Sequence, residues 1–322
     1  VTGFVGMSDD LNPAWSGLMR QVVHPEFSDA ALERARREMI VDARRRNTEP
    51  DSRILEGLRT SAFRGHPYGL SPAGTVKSLT SLSRAEVERF RDEEIVRSRL
   101  LLVVVGDVPA PRVDSLVAAT LGTLPPGDYE WTLPPEQPDR TSTWHWDDQP
   151  LPTNYIVACF NGPSPTDSDY LRFQVMLALL STFLDARIRD REAMSYAAYA
   201  TLMDHARPAG LIYVSTSTPA EVIDIVREAI ADLKRSDYPR GYQPPGWSKW
   251  LDGYSVTAML ERMSSSGEAH MLARAHLFFG DVELAETSVR RLRGVSFRTM
   301  TEMSRRYVKD IQLAFMGDTA LM

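Results

Sequence analysis

The chain has 322 residues, of which 43% are hydrophobic and 25% charged, and its formal net charge is −6. Two domains are expected, because a single core rarely grows beyond about 250–300 residues. The negative charge argues against a nucleic-acid partner, which would require a basic patch or stripe. No apolar run reaches the ~18 residues of a membrane span, and no signal peptide is visible. We therefore expect a soluble protein, cytoplasmic or periplasmic, with the compartment left open.

The only cysteine, Cys159, excludes an internal disulfide and a thiolate zinc site. It lies in the apolar run 155–160, where burial in a strand is expected rather than a nucleophilic role.

The first part of the chain has mixed helical and extended patterns. A strand fragment is predicted over Val1–Met7 and a fully buried strand over Leu100–Val105, because the latter is an unbroken, β-branched apolar run. Helical periodicity and capping residues predict helices over residues 12–23, 29–47, 51–63, 84–91 and 113–121.

Residues 125–152 are rich in proline and predict an extended linker containing a strand or two. The predicted domains are therefore 1–127 and 153–322, joined by a linker at 128–152. In the second domain, strands are predicted over residues 154–160, 195–203, 210–216 and 311–316. Helices are predicted over residues 170–184, 250–262, 268–279 and 297–308, and from Pro219, which suits the first helical position.

Both halves end in the same order: an amphipathic helix, an apolar strand and a Gly-Asp pair, Gly106-Asp107 and Gly317-Asp318. This repetition predicts an α+β protein of two tandem homologous domains. Each domain would have a mostly antiparallel sheet with helices packed on one face. The first domain would be incomplete, since it is shorter and lacks an opening strand.

Four passages resemble the pitrilysin/insulinase-type zinc peptidase family, of the bacterial type that is similar to mitochondrial processing peptidase. They are the turn and long helix at 25–40, the loop Gly65-His66-Pro67-Tyr68-Gly69, the strand Leu101–Asp107 and the segment Ile188–Ala200. The resemblance covers the C-terminal part of a first peptidase-like domain and a second, non-zinc domain.

The resemblance implies that Arg189 and Tyr196 bind the backbone of an extended peptide substrate. An arginine supplies forked donors for a peptide carbonyl, and a tyrosine hydroxyl can hydrogen-bond a carbonyl or oxyanion. The alternative is structural: Arg189 would pair with Asp185 or Asp190, and Tyr196 would pack as an ordinary strand residue.

The family's catalytic zinc motif, H-x-x-E-H, is absent from this sequence. None of the six histidines lies in such a motif: His24, His66, His145, His205, His270 and His276. The family's third zinc ligand, a glutamate, falls on Asp42, which is either a weakened ligand or a solvent-facing acid near Arg45 and Arg46. The sequence therefore predicts neither a catalytic residue nor a metal ligand in this chain, and zinc only in the complete or assembled enzyme.

Three functions stay open. The chain is a non-catalytic partner subunit, the C-terminal part of a zinc endopeptidase whose motif lies upstream, or a structural family member without peptidase activity. Its expected partners are an extended peptide and either a homologous subunit, forming a dimer, or a missing N-terminal segment.

Overall fold

The computed structural model describes residues 2–25, 27–136, 142–190, 195–236 and 246–322, without the side chains of residues 189, 190, 195, 196, 286, 288 and 289. Contacts divide the chain into two compact units. The first comprises Val1–Ala43, Ala73–Thr132 and Ala258–Ala285, and the second comprises Arg44–Pro72, Leu133–Thr257 and Glu286–Met322.

The described helices are α1 (Leu11–Val22), α2 (Asp29–Thr48), α3 (Pro50–Ala62), α4 (Val76–Ser81), α5 (Arg84–Glu94), α6 (Ala110–Ala119), α7 (Tyr170–Asp190), α8 (Pro219–Arg235), α9 (Gly246–Glu261), α10 (Ser265–Phe279), α11 (Glu283–Leu292) and α12 (Phe297–Tyr307). The described strands are β1 (Thr143–Asp148), β2 (Asn154–Asn161), β3 (Ser195–Met203), β4 (Ala209–Thr216) and β5 (Gln312–Gly317). In the part of the chain that is described, no helix is long and apolar enough to cross a membrane.

The five strands form one sheet in the second unit, in the order β1-β5-β2-β4-β3. β1 runs parallel to β5, whereas β5–β2, β2–β4 and β4–β3 are antiparallel pairs. The predicted α+β class is therefore confirmed, and β1 is the strand expected inside the linker. β5 lies between β1 and β2, so both of its edges are paired.

One face of this sheet is covered by α7 and α8. Alternate residues of a strand point to opposite faces, and on this face Phe160 of β2 meets Phe173 of α7 edge-on, with ring centroids 6.1 Å apart. Ile156 of β2 and Phe315 of β5 pack with Ile223 of α8. α12 packs on α7 and α8 behind them.

The opposite face is covered by α3. Ile54 and Leu58 of this helix pack in one buried cluster with Val157 and Cys159 of β2 and with Ala314 of β5. The expected burial of Cys159 in a strand is thus confirmed. Contacts group α3 with the sheet of the second unit, although α3 precedes the predicted linker. The compact units therefore have other bounds than the predicted homologous domains at 1–127 and 153–322. The homology of those two domains stays a prediction.

The first unit is helical in its described residues, and two strand predictions for it are wrong. Residues 2–7 and Leu100–Val105 have no strand partner among the described residues. The run is also exposed, since Leu100, Leu101 and Leu102 are 38%, 41% and 40% exposed. Full burial was expected for an unbroken apolar run. A strand needs a neighbour for its backbone hydrogen bonds, and the described residues supply none at this place.

Candidate functional site

The segment that carries the predicted peptide-binding pair joins α7 to β3. Arg189 is the next-to-last residue of α7 and Tyr196 is the second residue of β3. Both side chains, and residues 191–194 between the two elements, lie outside the described part of the chain. The pair therefore stands at a helix–strand junction, as expected, while its role in peptide binding stays a prediction.

Strand β3 begins with an irregularity at Tyr196. Ser195 is paired with Thr216 and Ala197 with Ser215, so Tyr196 has no opposite residue on β4. An extra residue of this kind forms a β-bulge, which bends the strand and re-aims side chains, and bulges are frequent beside active sites. The chain is thus locally irregular at one of the two predicted binding residues.

The C-terminal half of α7 is tied to α8 by a shared carboxylate. Asp232 accepts hydrogen bonds from Arg187 and from Arg235, the second at 2.6 Å. Although burial alone would raise the pKa of Asp232, these two guanidinium groups hold that pKa below its ordinary value. The helix is therefore anchored to α8 two residues before Arg189.

The loop Gly65-His66-Pro67-Tyr68-Gly69 is a structural turn. His66 is 7% exposed; its Nδ1 accepts the backbone N–H of Tyr68 at 3.1 Å, and its Nε2 lies 3.1 Å from the carbonyl oxygen of Pro135. The Tyr68 hydroxyl accepts the backbone N–H of Arg207 at 3.1 Å, and Arg207 Nε donates to the Pro134 carbonyl at 3.0 Å. Both ring nitrogens of His66 are therefore engaged, Nδ1 within the turn and Nε2 with a residue 69 positions later.

The described residues do not fit a zinc ion. No three of their His, Cys, Asp or Glu side chains are close enough together to hold a metal. The rings of His205 and Tyr68 pack together with their centroids 4.7 Å apart, and burial lowers the pKa of the His205 imidazole. Asp42 lies in α2 and is not part of a group of possible metal ligands among the described residues.

Sequence reasoning missed a cluster of one carboxylate and three phenols on the α3 side of the sheet. The Tyr213 hydroxyl donates to Asp51 Oδ1 at the start of α3. Tyr199 stacks on Tyr213, with ring centroids 5.1 Å apart and an interplanar angle of 14°. Burial and the Asp51 charge raise the pKa of all three phenols, those of Tyr155, Tyr199 and Tyr213. These residues come from four separate elements, so no local pattern could have revealed them.

The family model described as "Peptidase M16 inactive domain" matches residues 81–240. Human cytochrome b-c1 complex subunit 1, mitochondrial, is 23% identical over 180 residues, 55% of this chain and 37% of that protein. Mitochondrial-processing peptidase subunit beta of Neurospora crassa is 22% identical over 162 residues, 49% of this chain and 34% of that protein. The chain thus spans about a third of the length of these curated relatives.

Solved structures share the fold at lower identity. The peptidase M16 inactive domain from Pseudomonas fluorescens superposes with a TM-score of 0.84 at 16% identity, covering 97% of this chain and 76% of that one. A protease from Helicobacter pylori gives 0.83 at 15% identity, covering 97% and 78%. Complex III2 from Candida albicans gives 0.80 at 14% identity, covering 97% and 78%.

Proposed function

Because the family model described as "Peptidase M16 inactive domain" matches residues 81–240 of this chain, we propose that the chain holds extended peptides without cleaving them. Arg189 and Tyr196 are the residues that contact the peptide backbone. The observation that carries this proposal is the placement of both residues at one junction, on the last turn of α7 and on the bulge of β3. Two curated relatives are named as beta subunits of mitochondrial-processing peptidase, which supports a role as a partner subunit.

Each residue has a defined chemical task in this proposal. The guanidinium of Arg189 donates two parallel hydrogen bonds to peptide carbonyls, and the hydroxyl of Tyr196 donates a third. A peptide in extended form presents its carbonyls in a regular row, which a fixed cation and a phenol seven residues apart can engage from one side. In this proposal the zinc and the general base come from a homologous subunit or from a segment that precedes these 322 residues.

Fluorescence anisotropy of a labelled, unstructured peptide tests the proposal. Arg189→Ala is expected to weaken peptide binding by at least about tenfold, because hydrogen bonds from a charged donor contribute roughly 1.5–3 kcal/mol. Tyr196→Phe is expected to weaken it by about fivefold. Arg227→Ala is the control, since Arg227 pairs with Asp224 on the exposed side of α8. Unchanged affinity in both junction variants, or equal loss of affinity in the control, would show that the junction does not hold peptide.

The apolar segment Leu101–Val105 of the first unit also needs neighbouring strands. Gly106 and Gly317 follow matching apolar segments, and their φ angles are +147° and +156°, a conformation that other residues rarely adopt. By this match Leu101–Val105 corresponds to β5, which is paired along both edges. Leu101–Val105, unlike β5, has no strand partner among the described residues. We infer that a homologous subunit or a preceding segment supplies both neighbouring strands.

Amide hydrogen exchange tests this inference. Residues 101–105 are expected to exchange quickly in the isolated chain and to become protected by at least about 100-fold in the assembled protein, as buried strands are. β5 serves as the internal reference, because it is paired in both states. Protection of residues 101–105 in the isolated chain would mean that no additional polypeptide is needed.

A structural role is the second candidate function. It is favoured by the relatives named as cytochrome b-c1 complex subunit 1 and by the fold shared with a complex III chain. A purely structural subunit would show no peptide affinity that depends on Arg189, so the anisotropy experiment separates the two candidates.

A further inference from the structure

Strand β1 is an edge strand of the sheet, and only one of its two edges is paired. It pairs with β5 in an unbroken parallel register, and no other strand among the described residues lies beside it. The N–H of Gln149, just after β1, donates to the carbonyl oxygen of Gly317 on β5. Because successive residues of a strand direct their backbone groups to opposite edges, Trp144 and Trp146 direct theirs away from β5. Their N–H and C=O groups are therefore open to a further strand.

The two aspartates of β1 are engaged within the second unit. Asp147 accepts two hydrogen bonds from Arg53, and Asp148 accepts two from Thr319. These contacts hold the strand in place before any other polypeptide arrives, which lowers the entropy cost of pairing.

Two stacked tryptophans lie along this edge, on the sheet face that α8 covers. The ring centroids of Trp144 and Trp146 are 4.8 Å apart, with an interplanar angle of 14°. Trp144 packs against the buried cluster that contains Phe315, whereas Trp146 is 48% exposed. Proteins usually protect an exposed strand edge with a lysine, a proline or a bulge, and β1 has none of these. An unprotected edge beside an exposed indole is typical of a strand that pairs with another chain.

The sequence of β1 is complementary to itself in an antiparallel arrangement. With a twofold axis at His145, Trp144 of one copy lies opposite Trp146 of the other, and the reverse. The backbone groups of these residues point outward, so the two pairs exchange four hydrogen bonds. Their indoles meet on one face, where cross-strand aromatic pairs are stabilising. Asp147 lies opposite Thr143 in this register, so its carboxylate does not face another carboxylate.

We propose that β1 joins two copies of this chain through their outer edges, in an antiparallel pair centred on His145. The sheets of the two copies then continue into one another. A second copy is favoured over an unrelated strand, because the order of residues in β1 places the outward backbone groups and indoles of Trp144 and Trp146 opposite each other. This inference does not depend on peptide binding or on the strands proposed for Leu101–Val105.

Sedimentation velocity of the 322-residue protein over a range of concentrations tests the interface. A discrete species of twice the mass of the chain is expected, separate from larger aggregates. Trp146→Lys should raise the dissociation constant of this dimer at least about tenfold, because tryptophans carry much of the binding energy of interfaces and the change occurs in both copies. Trp131→Lys is the matched control, since Trp131 is similarly exposed, at 50%, and lies outside β1. It should change the constant by less than about twofold.

Cysteine cross-linking tests the register. In a Cys159→Ala background, His145→Cys should form a disulfide between two copies under mild oxidation. Opposite residues that are not hydrogen-bonded have Cα atoms about 4.5 Å apart, which suits a disulfide. Thr143→Cys is the control on the same face of β1. Its two copies would be displaced by four residues along the pair, about 13 Å, which is too far for a disulfide.

Two sedimentation results would overturn the proposal. One is the mass of a single chain at every concentration, and the other is a dimer that Trp146→Lys and Trp131→Lys weaken equally. A disulfide that forms as readily in Thr143→Cys as in His145→Cys, or in neither, would overturn the pairing centred on His145. Thermal midpoints check that each variant is folded. The cysteine variants keep both tryptophans, so they test the interface even if Trp146→Lys does not fold.

Discussion

Arg53 and Asp147 form a two-pronged ion pair between α3 and β1. Arg53 Nε donates to Asp147 Oδ2 at 2.6 Å, and Arg53 Nη2 donates to Oδ1 at 2.8 Å. Gln149 adds a third donor to Oδ1 at 3.0 Å. The pair fixes the start of the helix that covers one face of the sheet, and it also sets the position of Asp51 two residues earlier.

Replacing the guanidinium of Arg53 with another cation should weaken the attachment of α3 to β1. We expect Arg53→Lys to lower the free energy of unfolding by about 0.5–1 kcal/mol, because a lysine cannot form the parallel pair and the site is partly screened by solvent. Urea denaturation of Arg53→Lys, Asp147→Asn and the double variant measures the coupling. Independent, additive effects would mean that the pair contributes no stability of its own.

Asp169 is a buried acceptor that joins the start of α7 to α12. It is 4% exposed and accepts hydrogen bonds from Arg172 at 3.1 Å, Arg306 at 2.6 Å and Tyr307 at 3.1 Å. Asp169→Asn should cost about 2–4 kcal/mol of unfolding free energy, since it leaves two guanidinium groups beside a neutral amide. Asp224→Asn, on an exposed helix surface, should change it by less than about 0.5 kcal/mol. Comparable midpoints for the two variants in urea would contradict this role.

Tyr307 makes the stability of the folded protein depend on pH in the alkaline range. Burial, with the Asp169 charge, raises the pKa of Tyr307 from its ordinary value of 10.0 to about 12. In the unfolded chain the phenol ionises near its ordinary value, while in the folded protein it stays protonated until about pH 12. Its contribution to stability is therefore complete below about pH 10 and is lost as the pH rises from about 10 to 12.

Thermal midpoints of the wild type and Tyr307→Phe at several pH values measure this effect. The wild-type midpoint should fall faster than that of the variant through the alkaline window, because the phenylalanine cannot ionise but keeps the edge contact with Phe173, at 5.4 Å in the wild type. Other lysines and tyrosines titrate in both proteins, so only the difference counts. Parallel curves would exclude Tyr307 as the cause.

The two matched glycines should respond unequally to alanine. A Cβ on Gly317 would lie 2.1 Å from Asn154 Oδ1, which accepts the backbone N–H of Asp318 at 2.8 Å, whereas a Cβ on Gly106 would meet nothing within 4 Å. Gly106→Ala should cost about 1–3 kcal/mol from backbone strain alone, and Gly317→Ala should cost more. Equal losses in denaturation experiments would indicate that the Asn154 contact is readily displaced.

The elements that the sequence predicts well are those whose pattern is local. α8 begins at Pro219, as its proline at the first position indicates, and β3 occupies residues 195–203 as expected. Leu100–Val105 has an equally clear strand pattern, yet strand pairing requires a neighbour that the described residues do not contain. Local patterns therefore state what a segment is able to form, while the presence of its partner decides whether it forms.

The candidate site was predictable only in part, for a related reason. Arg189 and Tyr196 lie within seven residues and resemble a known passage, so the sequence alone points to them. The contact between Asp51 and Tyr213 joins residues 162 positions apart, and the ion pair between Arg53 and Asp147 joins residues 94 positions apart. Such contacts follow from the packing of α3 on the sheet, and no spacing along the chain encodes them.

The exposure of the apolar run Leu100–Val105 has a consequence for the solubility of the isolated chain. The run is uncharged, lacks proline and is rich in valine and leucine, which is the composition of segments that stack into intermolecular β-structure. Arg97, Arg99 and Asp107 flank it and act as charged gatekeepers against such self-association. Expressed alone, the chain should therefore aggregate as its concentration rises. If a homologous subunit supplies the neighbouring strands, co-expression with that subunit should restore the solubility of the chain.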